Sequence, residues 1–156
     1  MKRRSLLLAI AAAPILHPSL SRAAAPIHVY KNPDCGCCSA WVDHLKAAGF
    51  AVQVTETSDT SSVRKRFGMP ERFAGCHTAT LEGYVLEGHV PADDIKRLLA
   101  MKPQAIGLSV PGMPVGSPGM EYGDRRDAYK VLLIDRRGGE RVFASYAGSS
   151  ATGAGK

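Results

Sequence analysis

The sequence predicts a mixed α/β domain, on three observations. Short β-prone runs with period-two alternation take turns with runs whose apolar residues recur every three or four positions. Gly, Pro, Asn and Asp punctuate the junctions between them. The stretch from 26 to 147 is long enough for one domain with a core of its own, once two terminal segments of different character are set aside.

The first of these segments, residues 1–25, reads as a cleaved signal peptide. Lys2-Arg3-Arg4 is a basic start, Leu6 to Leu16 is mostly apolar, and Ser21-Arg22-Ala23 and Ala23-Ala24-Ala25 are small-x-small cleavage signals. The apolar run is short for a membrane span, an uncleaved anchor being the competing reading. Arg3-Arg4 also resembles a twin-arginine export signal. The expected location is therefore the periplasm. Four of the 20 basic residues leave with the leader, so 16 face 14 acidic ones and the net charge falls from +6 to +2. The basic balance is largely a targeting feature. No basic stripe with interleaved aromatics points to nucleic acid, and no later stretch is long and apolar enough for membrane insertion after cleavage. The other segment, residues 148–156, is Gly, Ser and Ala with little to bury, and reads as a disordered tail.

Within the domain, Ile27-His28-Val29-Tyr30 alternates as a short strand, and Asn32-Pro33-Asp34 is a turn. From Gly36 to Ala48 the pattern is helical, with Trp41, Val42, Leu45 and Ala48 on one face and Gly49 placed to end it. Phe50 to Thr55 alternates as a second strand. Polar Ser58 to Ser62 leads into a brief basic helix, Val63 to Phe67, stopped by Gly68 and Pro70. Thr78 to Leu81 and Tyr84 to Leu86 flank Glu82-Gly83 as a hairpin. Pro91 opens a helix with the buried stripe Ile95, Leu98 and Leu99, and Asp93 and Asp94 read as first-turn acids. Gly107 to Gly123 is a long loop dense in Gly and Pro, repeating Pro111-Gly112-Met113 as Pro118-Gly119-Met120. Tyr129 to Asp135 and Arg141 to Tyr146 form a second hairpin. This order resembles a thioredoxin-like fold with an added Gly/Pro/Met loop and a C-terminal β-hairpin.

The chemistry-bearing stretch is Cys35-Gly36-Cys37-Cys38, at the start of the first helix. A helix N-terminus favours thiolate through its unpaired N–H groups and dipole. Cys38 leans toward the core, Cys37 is turned about 100° from it, and Cys35 is the most exposed. Three of the four cysteines lie too close together to staple a fold, so a structural disulfide framework is not expected. Cys35 and Cys38 alone have the C-x-x-C redox spacing. The inserted Cys37 invites scrambling in a dithiol enzyme but suits a soft cation that wants several thiolates. Cys76-His77 precedes the first hairpin, where a thioredoxin-like fold faces a cis-proline segment toward its redox motif; no proline stands there. Cys76 is therefore a candidate ligand, and His77 a weaker one. Met113 and Met120 offer soft thioethers or else plug the loop over the domain. Met69 reads as packing, and His28, His44 and His89 as surface or satisfied core residues.

Three functions compete on these residues. One is a copper-binding protein. Another is a periplasmic thiol–disulfide oxidoreductase using Cys35 and Cys38. The third is a structural zinc site, disfavoured because only one C-x-x-C knuckle is present. No Gly-x-Ser-x-Gly and no paired acids support a hydrolase.

Tyr30-Lys31-Asn32-Pro33-Asp34-Cys35-Gly36-Cys37-Cys38 resembles the hallmark of the small exported CopG-type copper-resistance proteins. Gly75-Cys76-His77-Thr78, Gly83 to Pro91, Val110 to Pro114 and Gly119-Met120-Glu121 extend that resemblance over about Ile27 to Tyr146. It implies a thioredoxin-like fold and copper held as Cu(I), as a multinuclear thiolate cluster, with Cu(I)/Cu(II) redox an open question. The implied ligands are Cys35, Cys37, Cys38 and Cys76, followed by His77, Met113 and Met120. The implied partners are metal ions and other periplasmic copper-handling proteins.

Overall fold

A computed structural model describes residues 25–149. The expected signal peptide lies outside the described residues except for Ala25, as does the tail from position 150. Gly148 and Ser149 are described, and Ser149 exchanges backbone and side-chain hydrogen bonds with Arg126.

The described residues form one seven-stranded mixed sheet with three α-helices, the α/β class expected. The elements run β1 (Ile27–Lys31), α1 (Gly36–Ala47), β2 (Val52–Glu56), α2 (Thr60–Arg66), a 3₁₀ turn (Glu71–Phe73), β3 (His77–Leu81), β4 (Tyr84–Glu87), α3 (Ala92–Met101), β5 (Ala105–Ser109), β6 (Tyr129–Asp135) and β7 (Glu140–Tyr146). The sheet order is β2-β1-β3-β4-β5-β6-β7. β1 pairs parallel with β2 and β4 with β5; the other four pairs are antiparallel.

Helices cover both faces. Trp41, Val42 and Leu45 of α1 and Ile95 and Leu98 of α3 pack with Ile27, Val29, Ala79, Leu86 and Leu133 in the larger cluster. Val85 and Ile134, each next in sequence to one of these strand residues, point the other way and meet Met69 and Phe73. Trp41 ties the larger cluster together: it is fully buried, and its Nε1–H donates to the Val90 carbonyl at 2.8 Å. His44 is satisfied, as expected, because its Nε2 accepts the Ala92 N–H and so caps α3.

Two readings are corrected. The long loop does not begin at Gly107, because Ala105–Ser109 is a strand. A mid-strand Gly obscures the alternation, yet it is required: a Cβ on Gly107 would collide with the Val85 carbonyl of β4. The second helix begins at Thr60, three residues before Val63, because the Asp59 side chain accepts the Ser62 N–H at 2.9 Å.

Candidate metal centre

The C-terminal ends of β1 and β4 and the N-terminal end of β3 meet at one end of the sheet, with Lys31 opposite His77 and Thr78 opposite Glu87. The candidate residues hang from these ends.

The first loop is shaped locally. Asn32 Oδ1 accepts the Asp34 N–H at 2.9 Å, and the Asn32 carbonyl accepts the Cys35 N–H at 3.1 Å. Cys35 is thereby the N-cap of α1, its carbonyl receiving the Ser39 N–H. Cys37 and Cys38 follow in the first turn, Cys38 fully buried and Cys37 half-buried.

The second loop brings Cys76 across. Its Sγ lies 3.4 Å from Cys38 Sγ and 4.0 Å from Cys37 Sγ, and Cys37 Sγ is 3.5 Å from Cys35 Sγ. All four sulfurs fall within 4.8 Å of one another. Cys35 and Cys38 are joined by a disulfide, leaving Cys37 and Cys76 as thiols. That bond spans only three positions, so it closes too small a loop to hold the fold together.

Cys76 is also the hinge to two imidazoles. Its Sγ is 3.3 Å from His77 Nδ1 and 3.0 Å from His89 Nε2, and these three residues form a second compact donor set. His89, read from the sequence as a surface or satisfied core residue, is buried and hydrogen-bonded, and it also stands in this donor set, which that reading did not foresee. Its Nδ1 donates to the Pro118 carbonyl at 2.7 Å, which leaves Nε2 as the unprotonated nitrogen of the neutral ring, aimed at the sulfur. His77 is fully buried between Trp41 and His89, and its Nε2 has no hydrogen-bond partner. An orphaned buried polar atom costs about 1–3 kcal/mol.

Burial sets the electrostatics. It pushes the Cys76 thiol up to about 12, with Cys37 adding to the shift. It holds His77 down to about 3, helped by His89, and lowers His89 as well. At neutral pH the site therefore offers neutral imidazole lone pairs and a protonated Cys76. A thiophilic cation would have to displace that proton.

The two methionines part company. Met120 is nearly buried, and its neighbour Gly119 lies against the backbone of α1, where an added Cβ would stand 2.7 Å from the Cys37 carbonyl oxygen. Met113 is 55% exposed.

Four sulfurs and two imidazole nitrogens at one end of the strands form a soft donor set of the kind that holds metal ions. The comparisons with known proteins narrow that class. The family described as "Protein of unknown function, DUF411" matches residues 73–120, which include Cys76, His77 and His89. A solved structure titled "Copper resistance protein copG- Form 1" is 46% identical, with a TM-score of 0.77 over 81% of this chain and 100% of its own. The "Form 2" structure of that title is 47% identical, with a TM-score of 0.74 over 78% and 99%. No curated protein matches the chain. The chain belongs to the CopG-type copper-resistance family.

Proposed function

We propose that this protein is a periplasmic copper-binding protein that takes up Cu(I) through the clustered thiolates of Cys35, Cys37, Cys38 and Cys76. The observation that carries the reading is the convergence of all four sulfurs within 4.8 Å. The donor set fits the ion: thiolates are soft, and His77 Nδ1 and His89 Nε2, 3.3 and 3.0 Å from Cys76 Sγ, give neutral nitrogen donors beside them. Copper is the cargo, and more than one ion per chain suits a set in which Cys76 faces both the sulfurs and the imidazoles. Met120, buried, and Met113, 55% exposed, offer soft thioethers as further donors.

Loading requires two electrons and two protons to open the Cys35–Cys38 disulfide, supplied by an external dithiol that leaves as its own disulfide. The scaffold is read as thioredoxin-like, supported by the order β2-β1-β3-β4 with β3 antiparallel to both neighbours and thiols at the first strand–helix junction. Export rests on the basic, apolar and small-residue succession of the first 25 residues. Delivery to other periplasmic copper-handling proteins follows from the same reading.

Anaerobic Cu(I) titration of the reduced protein against a chromophoric chelator tests it. The expected result is more than one Cu(I) per chain, reduced by Cys37→Ser. Unchanged binding in Cys37→Ser and Cys76→Ser would overturn the reading. Reduction of insulin disulfides without copper uptake would instead support an oxidoreductase using Cys35 and Cys38.

A further inference from the structure

Behind the sulfurs lies a buried ion pair that the copper-binding reading does not use. Glu87, at the end of β4, is fully buried, and Arg64 of α2 is 3% exposed. Arg64 Nε donates to Glu87 Oε1 at 2.8 Å, and its Nη1 donates to both carboxylate oxygens of Glu71 at 2.9 Å. Glu87 Oε2 accepts the Thr78 hydroxyl at 2.7 Å. The remaining bonds converge on one residue: Glu87 Oε1 accepts the Gly75 N–H at 2.8 Å, and Arg64 Nη2 donates to the Gly75 carbonyl at 3.1 Å.

We propose that the Arg64–Glu87 pair is the positioning device for Cys76. It holds the peptide groups on both sides of Gly75 and so sets the reach of the next residue's sulfur toward the thiols of α1. The inference rests on the copper-binding reading for its purpose, though its geometry stands apart from it.

Stability alone is a poor reason for the pair. Taking two charges out of water costs several kcal/mol per ion, and apolar replacement of such pairs is often neutral or stabilising. What apolar side chains cannot supply is direction. Gly75 has no side chain by which it could be held, and it cannot gain one: a Cβ there would stand 2.5 Å from the Gly88 Cα. The chain before Cys76 is therefore thin and packed backbone to backbone, and only hydrogen bonds to its peptide groups can fix it. The same contact carries the constraint to Gly88, whose N–H donates to the His77 carbonyl at 3.0 Å and whose next residue is His89. One buried pair thus aligns both chain segments that bring donors to the helix.

The test uses the metal-free protein in its Cys35–Cys38 disulfide form, where Cys37 and Cys76 are the thiols and lie 4.0 Å apart. Dibromobimane bridges thiols at such separations, and its intramolecular cross-linking rate reads their relative position without copper. The double variant Arg64→Met/Glu87→Leu should keep the fold, measured by circular dichroism and thermal unfolding. Its cross-linking should slow roughly tenfold or more, since small misplacements are costly to proximity-driven steps. Single alkylation of Cys37 should be unchanged, and Cu(I) stoichiometry in the reduced form should fall. A folded double variant that cross-links at the parent rate overturns the proposal. If the double variant does not fold, Glu87→Gln is decisive: slower cross-linking in a folded protein supports the proposal, and an unchanged rate or a lost fold overturns it. A parent protein that cross-links rapidly but binds no copper would sink the functional reading and leave the positioning intact.

Discussion

Asn32–Cys38 and Ala74–His77 deliver thiols to the same point, the first by local rules and the second by contacts from far along the chain. The first loop is an Asx turn closing onto a helix N-terminus; both of its defining hydrogen bonds span two or three residues. Even its buried cation acts nearby, Lys31 Nζ donating to the Asn32 carbonyl at 3.2 Å. The second loop has no such turn. Its place is set by Arg64 from α2, Glu87 from β4 and the backbone of Gly88. A local loop can form before the sheet does, whereas the other acquires its geometry only once α2, β3 and β4 have assembled. The candidate site is thus half preformed and half a product of tertiary structure.

Trp41 is where the two halves depend on one residue, and its removal should have the largest effect. The side chain is fully buried, its Nε1 holds Val90 next to His89, and its ring lies 4.3 Å from that of His77. Trp41→Ala should cost about 3–5 kcal/mol of stability, measured by denaturant unfolding of the metal-free protein. Trp41→Phe keeps most of the packing but orphans the Val90 carbonyl, and should cost about 1–3 kcal/mol. Equal losses in the two variants would show that the hydrogen bond, not the packing, joins the halves.

Cys76→Ser comes next and separates the halves without unfolding them. The substitution leaves Cys35, Cys37 and Cys38 on their local scaffold and removes the sulfur that faces both donor sets. Cu(I) affinity should fall by more than the roughly 10–100-fold typical of losing an outer-shell partner, with the melting temperature of the metal-free protein little changed. Affinity close to that of the parent would mean that the helix-borne thiols suffice alone.

His89→Gln sharpens the same comparison at smaller scale. The amide keeps a polar group near Pro118 but removes the lone pair 3.0 Å from Cys76 Sγ. A loss of roughly tenfold in Cu(I) affinity is expected, read by chelator competition. The same change at His28, whose Nε2 pairs with Thr55 Oγ1 on β2, should leave the affinity unchanged.

The contrast also explains what could be read from the sequence. Cys35 at the helix start, Asn32-Pro33-Asp34 as a turn and Gly49 beyond the helix end are local statements, and the structure has each of them; Gly49 has φ +92°. His89 is a satisfied core residue, and its place beside Cys76 is also legible in principle. Counting outward from the Glu82-Gly83 turn pairs Leu81 with Tyr84 and Thr78 with Glu87, and the next steps bring Cys76 and His89 to the same end of the sheet. The motif drew attention to Cys76, but hairpin register was needed to find its partner. Arg64 and Glu87 were not legible. A lone Arg in a basic helix and a lone Glu ending a strand read as surface residues, and only the tertiary structure buries them against each other. β5 was hidden for a similar reason, its central Gly107 being demanded by a neighbouring strand.

Asn32→Ala is the smallest perturbation and the most direct test of the claim that the first loop is locally determined. The substitution removes the Oδ1 acceptor of the Asp34 N–H and nothing else that bonds across the site. The N–H it abandons is exposed, so water replaces the lost partner and the cost should stay near 0.5–1.5 kcal/mol, about that of one hydrogen bond. The effect should fall on the cysteines of α1 alone. If the loop is preformed by this turn, a synthetic peptide spanning residues 27–48 should show α1 chemical shifts that weaken on the same substitution. The rate at which Cys37 is alkylated in the folded protein should change, while that of Cys76 should not. A matching change at Cys76 would mean that the two loops are coupled through the sulfurs themselves, and that the local half is no more independent than the assembled one.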